Sequence, residues 1–185
     1  GAELQVSASN SASQNIRAIN GAKEFAGKLQ MYLQELEDET FFSVLNRFQS
    51  SLAQLSLPEF NPMKPDKAFG EKYSSLMWHP KKWKSQFAIG FSFDDRFNKL
   101  YYGIRDYSTD GQGISTNTDL QKKLSGLFSQ NDPNAAWPLG IWRRMHRIDA
   151  EFIAEVEDGR LLTEFRNILI DIVERTRDFN ELLMA

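Results

Sequence analysis

The sequence predicts an α+β fold, in which an antiparallel β-hairpin or small sheet packs against helices and a helical region precedes it. Apolar residues recur at steps of three and four through residues 16–55, which is the period of an amphipathic helix. Residues 87–104 instead alternate at period two, which is the period of a β-strand. Residues 161–183 return to the helical period, so helices are predicted on both sides of the hairpin.

The N-terminal helical region is predicted to cover residues 1–57. Its apolar residues form two stripes, at positions 16–36 and 41–55, and the polar segment EDET separates them. Asp38 or Thr40 in this segment is a candidate N-cap for a second helix. The region is therefore predicted to be a helical hairpin or one bent helix.

A proline-rich linker is predicted at residues 58–70, because the prolines of LPEFNPMKPD exclude a helix or a central strand. The α+β domain then occupies residues 71–185, and a short helix or turn is predicted within KAFGEKYSSLMW. Its hairpin pairs QFAIGFSF with KLYYGIRDYS across the turn DDRFN. One face of QFAIGFSF carries small residues, which indicates that a helix or another strand packs closely there.

The rest of the domain is predicted to be mainly helical. A capping box at Thr118 begins a helix that ends before SQNDPN. AAWPLGIWRRMHRI is expected to be extended or turning, because a proline and a glycine lie between its tryptophans. A short helix is predicted from Asp149 to a stop at Gly159, and the last helix from about Leu161 to Leu183.

Composition limits the possible functions. The formal net charge is −3, from 22 Lys plus Arg against 25 Asp plus Glu, so nucleic-acid binding would require a local basic patch. The absence of cysteine excludes disulfides, thiolate nucleophiles and zinc–thiolate sites, and it fits a reducing compartment, so we expect a cytoplasmic protein. The run NILIDIV is too short to cross a membrane, and none is expected as a partner. Because the sequence begins with Gly1 and not with an initiator Met, we expect a trimmed sequence, and a piece of a longer protein is one hypothesis.

Few residues indicate catalysis. His79 and His146 have no second ligand at metal-binding spacing, and the motifs GxxxxGK[ST] and GxGxxG are absent, so no metal or cofactor is predicted. The candidates for an unrecognised acidic site lie near the hairpin, where ordinary turn and loop roles are the alternative: Asp94, Asp95, Asp106 and Asp110.

One stretch resembles a known family. FAIGFSFDDRFNKLYYGIRDY, followed by a loop, a short helix, WPLGIWRRM and closing helices, resembles the C-terminal portion of bacterial PD-(D/E)XK nuclease-superfamily proteins, over about residues 75–185. That superfamily cleaves phosphodiesters with a metal held by acidic residues and with the lysine of an Asp/Glu-x-Lys strand. This chain contains no Asp-x-Lys or Glu-x-Lys; the nearest pattern is EFR at residues 164–166. The resemblance therefore implies a non-catalytic portion of a longer nuclease or a relative that lost its site.

The first function hypothesis is non-catalytic recognition by an accessory domain of a nuclease-like protein, which contacts DNA or RNA through a basic–aromatic patch. The alternative for the same residues is that the aromatic rings belong to the core and the cations form a solvated rim. The candidate nucleic-acid-binding residues are Lys81, Lys82, Trp83, Lys84, Tyr101, Arg105, Arg143, Arg144 and Arg147.

Two further hypotheses remain open. The N-terminal helices, with Phe41, Phe42, Phe48 and the leucine stripe as a seam, are candidates for pairing with another protein or for homodimerisation. The alternative is that these faces cover the domain's own core. The last hypothesis is an enzyme that uses the acidic candidates near the hairpin.

Overall fold

The predicted α+β class is confirmed. The computed structural model describes residues 2–55, 57–68, 71–94, 99–109, 118–143 and 149–185. The helices are α1 (Ala2–Ala53), α2 (Thr118–Leu127), α3 (Ala150–Glu157), α4 (Arg160–Arg175) and α5 (Asn180–Leu183). The strands are β1 (Phe60–Pro62), β2 (Ser74–Pro80), β3 (Phe87–Asp94), β4 (Lys99–Asp106) and β5 (Leu139–Arg143). Among the described residues, no helix is both long and apolar enough to span a membrane.

The five described strands form one antiparallel sheet in the order β1-β2-β3-β4-β5. The predicted hairpin is confirmed as β3 and β4, with Ile89 opposite Ile104 and Phe93 opposite Leu100. The predicted turn DDRFN falls at residues 94–98, of which 95–98 lie outside the described residues. Each strand pairs with its neighbour in the sequence, and the longest connection between consecutive strands, residues 107–138 between β4 and β5, contains α2.

One face of the sheet is covered by helices and holds the main core. The Phe165 ring of α4 stacks on Phe91 of β3 with the ring centroids 4.1 Å apart, and Phe48 of α1 meets Phe165 edge-on at 5.2 Å. Three elements that are distant in the sequence therefore share one aromatic contact. The buried strand residues on this face are Leu76, Trp78, Phe87, Ile89, Phe91, Phe93, Leu100, Ile104, Leu139 and Ile141.

The opposite face of the sheet is built around a row of glycines. Gly90, Gly103 and Gly140 are paired side by side across β3, β4 and β5. The Tyr101 ring lies over Gly140, where an added Cβ would overlap the tyrosine hydroxyl. Among the described residues, the close packing predicted on this face is provided by side chains in a buried cluster. Its buried members are Met77, Ala88, Tyr101 and Trp137.

Two strands lie where the sequence predicts other structure. β1 falls within the predicted linker, because proline is tolerated on an edge strand and β1 is the edge of this sheet. In KAFGEKYSSLMW, where a short helix or turn is predicted, a turn closed by the Ser74 N–H bond to the Glu71 carbonyl at 3.0 Å is present, and β2 occupies the residues from Ser74 onward. It lacks alternation because both of its faces are covered: Trp78 contacts Phe91 on the helix-covered face, and Met77 belongs to the cluster on the opposite face.

The N-terminal region is one continuous helix of 52 residues, so the predicted helical hairpin is wrong. The segment EDET contains neither proline nor glycine and does not interrupt the helix. Gln34 Nε2 donates to Asp38 Oδ1 at 3.1 Å, and Thr40 Oγ1 donates to the Leu36 carbonyl at 2.7 Å. The compact units divide within this helix, into Gly1–Ser43 and Val44–Ala185.

The C-terminal helix is shorter than predicted, because α4 ends at Arg175 and α5 begins only at Asn180. The Thr176 hydroxyl donates to the Ile172 carbonyl at 2.7 Å, and the chain then turns through the Phe179 N–H bond to the Thr176 carbonyl at 2.9 Å. The predictions upstream agree better with the structure: α2 and the extended β5 are confirmed. The short helix predicted from Asp149 is confirmed as α3, and Asp149 caps it by accepting from the Phe152 N–H at 2.9 Å.

Replacement of Phe165 by alanine tests the main core. We expect Phe165→Ala to lower the free energy of unfolding by about 3 to 5 kcal/mol, because a fully buried ring would be replaced by a cavity. Urea unfolding followed by near-UV circular dichroism measures the change. The exposed neighbour Arg166 gives the control, since Arg166→Ala should stay within about 0.5 kcal/mol of the wild type. Equal losses in the two variants would contradict the central position of Phe165.

Candidate functional site

The structure separates the aromatic residues of the predicted nucleic-acid patch from solvent. Trp83 is only 5% exposed and forms an isolated β-bridge with Met184. The adjoining backbone bonds, from the Lys84 N–H to the Leu183 carbonyl at 2.7 Å and from the Ala185 N–H to the Lys82 carbonyl at 3.0 Å, fasten the last residues of the chain beside it. Trp83 therefore offers no free ring face on which a base can stack.

Tyr101 belongs to the buried cluster on the face of the sheet opposite the helices, and both its ring and its hydroxyl make contacts there. Its ring packs between Trp137 and Trp142, with centroids 5.3 Å and 4.6 Å away. Its hydroxyl donates to the Asp132 carbonyl at 2.6 Å and accepts from Asn134 Nδ2 at 3.3 Å. Burial, together with the charge of the Asp132 carboxylate, raises the pKa of the Tyr101 hydroxyl far above its ordinary value. This tyrosine is a structural residue of the sheet.

The predicted arginines lie on different parts of the domain. The Arg105 guanidinium lies 4.4 Å from the centroid of the Tyr107 ring. Arg143 Nη2 forms an ion pair with Glu164 Oε2 at 2.9 Å, on the helix-covered face. Arg144 and Arg147 lie outside the described residues. The sequence-predicted patch is thus not one surface among the residues that the structure describes.

Three cations do come together around a cavity of about 370 Å³. Lys81 and Lys82 follow β2, and Arg177 follows α4; all three are exposed and line the cavity together with the buried Trp83 and the exposed Glu59. Within the described parts of the chain, no carboxylate lies within ion-pair distance of these three cations, whereas Lys84 Nζ donates to the Glu181 carbonyl at 3.2 Å. Sequence reasoning missed Arg177, because it follows a helix end that the periodicity did not mark.

The acidic candidates are explained by local structure where they are described. Asp106 is fully buried, and its Oδ1 accepts from the Ser108 N–H at 2.9 Å and from the Ser108 hydroxyl at 2.6 Å. Asp94 lies 3.9 Å from Lys72 Nζ. Asp95 and Asp110 lie outside the described residues. Among the described residues, no group of three or more His, Cys, Asp or Glu side chains is placed to hold a metal ion.

Among the described residues, most of the exposed large apolar side chains lie on residues 11–43 of α1, here called the arm. Its large apolar side chains are between 45% and 69% exposed: Ile16, Ile19, Phe25, Leu29, Met31, Tyr32, Leu33, Leu36 and Phe42. Six exposed residues alternate at steps of three and four along one face, and we call them the arm seam: Ile19, Ala22, Ala26, Leu29, Leu33 and Leu36. This spacing is that of the inner positions of a coiled coil.

Comparison with known proteins adds no relative: no family model, curated protein or solved structure matches this chain. The resemblance to the nuclease superfamily therefore stays a prediction.

The Tyr101 hydroxyl gives a prediction about stability and pH. We expect Tyr101→Phe to lower the free energy of unfolding by about 0.5 to 1.5 kcal/mol at neutral pH, because the hydrogen bond from the Tyr101 hydroxyl to the Asp132 carbonyl is lost. The raised pKa of Tyr101 also makes the stability of the wild type depend on pH in the alkaline range. Above about pH 10 the unfolded chain releases this proton while the folded chain keeps it, so wild-type stability falls as the pH rises.

Urea unfolding from about pH 8 to about pH 11 measures both effects, and the fall at alkaline pH should be smaller in Tyr101→Phe than in the wild type. Burial raises the pKa of Tyr102 as well, so the variant should keep part of the slope. Tyr73→Phe, at a ring that is 55% exposed, is the matched control and should resemble the wild type throughout. If stability fell with pH as steeply in Tyr101→Phe as in the wild type, the alkaline loss of stability could not be attributed to the raised pKa of Tyr101.

Proposed function

We propose that this chain is a non-catalytic interaction protein whose arm pairs with an α-helix of another polypeptide chain. The observation that carries the proposal is the arm seam, a row of exposed apolar residues at coiled-coil spacing. The non-catalytic part of the proposal rests on the sequence, which lacks the Asp/Glu-x-Lys pairing of the family that it resembles.

The exposure of the seam argues for a partner on energetic grounds. Ile19, Leu29, Leu33 and Leu36 are each about half exposed, at 45% to 54%. Apolar surface removed from water contributes roughly 25 cal/mol per Å², and contiguous apolar patches on soluble proteins commonly mark interaction sites. Pairing the seam with another helix would bury these side chains along its whole length.

The exposed leucines also bear on the alternative that the N-terminal faces cover the domain's own core. Val44, Phe48 and Leu52 are buried and do serve that core. The seam residues are exposed in the same structure. We therefore propose that α1 has two roles: Val44, Phe48 and Leu52 serve the core of the Val44–Ala185 unit, and the arm seam serves a partner.

Self-association is the first test, because a second copy is a partner that the purified protein always contains. We expect the full chain to sediment as a species larger than its 21.3 kDa monomer at micromolar concentration. Leu29→Glu combined with Leu33→Glu should weaken this association by at least about 100-fold, because two carboxylates would be buried in an apolar seam. Sedimentation velocity over a concentration series measures the dissociation constant.

The matched control is Met31→Glu. Met31 is 66% exposed on the same stretch of helix but lies outside the seam, so its replacement adds the same carboxylate without burying it. We expect Met31→Glu to associate like the wild type. Equal loss of association in the seam variant and in the control would show that the seam has no special role.

A second candidate function, nucleic-acid binding, is supported by the cluster of Lys81, Lys82 and Arg177. These three exposed cations surround one cavity, and exposed Lys and Arg side chains can neutralise phosphates. This candidate fits an accessory domain of a nuclease-like protein. It depends on the cations alone, because Trp83 and Tyr101 are buried.

Charge reversal tests this second candidate. Three phosphate contacts on a single strand predict a slope of about −2 for the logarithm of the association constant against that of the salt concentration. We expect Lys81→Glu combined with Lys82→Glu to weaken binding of a labelled single-stranded DNA at least about tenfold and to flatten this slope. Fluorescence anisotropy measures both the affinity and the slope.

Lys64→Glu combined with Lys122→Glu makes the same change of charge at exposed positions elsewhere and is the control. Equal weakening by the two pairs would indicate a non-specific charge effect.

A further inference from the structure

We propose that the helix bound by the arm is the arm of a second copy of this chain, and that the two arms pair in antiparallel orientation. This inference rests on the proposed function and specifies its partner. In the register that we assign, Ile19, Ala22 and Ala26 face Leu36, Leu33 and Leu29 of the second copy, respectively. The pair is then symmetric about a two-fold axis between residues 27 and 28, as a closed dimer requires.

The sizes of the seam residues favour this orientation. The N-terminal half of the seam contains Ala22 and Ala26, and the C-terminal half contains Leu29, Leu33 and Leu36. Antiparallel pairing places one alanine against one leucine in each inner layer. Parallel pairing would give two alanine layers followed by three leucine layers. Because the distance between two packed helices follows the side chains at their contact, a straight pair suits the uniform layers better.

The charges of the arm favour the same orientation independently. Residues 11–28 contain three cations and one carboxylate, which gives a formal charge of +2. Residues 29–43 contain four carboxylates and no cation, which gives −4. Antiparallel pairing places each basic half beside an acidic half, whereas parallel pairing places the two acidic halves together. Complementary charges of this kind select orientation and partner.

The two patterns change at nearly the same point of the helix. Residue size changes between Ala26 and Leu29, and the sign of the charge changes between Lys28 and the acidic run that begins at Glu35. A single rotation about the centre of the arm therefore satisfies both patterns together. A helix from an unrelated protein would need its own matching order of large and small residues and of charges. The arm already contains that order.

The aromatic residues beside the seam fit the same register. Phe25 and Tyr32 each immediately precede a seam position, and they are 69% and 61% exposed. With Ala26 opposite Leu29, Phe25 of one copy lies nearly level with Tyr32 of the second copy, and the symmetry repeats this pair. Two aromatic pairs would then flank the small central layers, where the alanines alone bury little surface.

Disulfide trapping distinguishes the two orientations, because the wild-type chain contains no cysteine to interfere. Ala22→Cys and Leu33→Cys are prepared as separate full-length chains, one with a size tag, and are then mixed and oxidised with oxidised glutathione. In the antiparallel dimer the two copies of position 22 lie about 16 Å apart along the axis, which is too far for a disulfide. Position 22 of one copy faces position 33 of the other.

We expect the mixed disulfide to exceed each same-site disulfide by at least about tenfold, against the roughly twofold excess of random pairing. An excess of same-site disulfides would overturn the antiparallel orientation and leave the proposed function standing. A strictly monomeric wild-type chain in sedimentation would overturn the second copy as partner. Circular dichroism of both variants checks that the helices are intact.

Salt dependence gives a second measurement on the unmodified chain. Attraction between basic and acidic halves is screened by salt, so antiparallel dimers should dissociate several-fold more readily when salt rises from about 50 mM to about 500 mM. Parallel dimers would respond in the opposite direction, because salt would screen repulsion between their acidic halves. Tighter association at high salt would therefore exclude the antiparallel pair even if a cysteine variant misfolds.

Discussion

The contact of Phe165 with Phe91 and Phe48 is the interaction on which the Val44–Ala185 unit depends. It joins α4, β3 and the C-terminal turns of α1 within one group of rings, with centroid distances of 4.1 Å and 5.2 Å. An antiparallel sheet whose strands follow each other in sequence still needs cover on its apolar face. Here that cover comes from α1 and α4, so the aromatic contact joins residues that are far apart in the sequence.

The opposite face of the sheet follows from a steric constraint. Gly103 has a φ of 153°, in a region that favours glycine, and Gly140 leaves room for the Tyr101 ring. Tyr101, which the sequence predicts as a residue that stacks on bases, is instead packed inside this space against Trp137. The sequence places aromatic and basic residues close together along the chain. In the folded sheet, the aromatic rings of Tyr101 and Trp83 are buried, whereas the neighbouring Lys81 and Lys82 remain exposed.

Much of the fold could be predicted because local signals were sufficient for it. Period two predicts the β3–β4 hairpin, and the aspartate at position 149 predicts the start of α3. The missed elements depend on neighbours that one sequence window does not contain. β2 lacks alternation because both of its faces are covered, and β1 tolerates Pro62 because it lies at the edge. For the candidate site, the seam spacing is readable from sequence, but its exposure and the position of Arg177 beside Lys81 and Lys82 require the fold.

The polar segment EDET marks a change of packing within one helix, and this explains why it resembles a helix boundary. Continued at the same spacing past Leu36, the arm seam would reach Thr40 and Ser43, both polar and exposed. The buried stripe of Val44, Phe48 and Leu52 begins only after these polar positions, and it serves the core of the Val44–Ala185 unit. EDET therefore lies where the exposed apolar row of the arm seam has ended and the buried apolar row of the Val44–Ala185 unit has not yet begun, and this is why it looks like a helix boundary in the sequence.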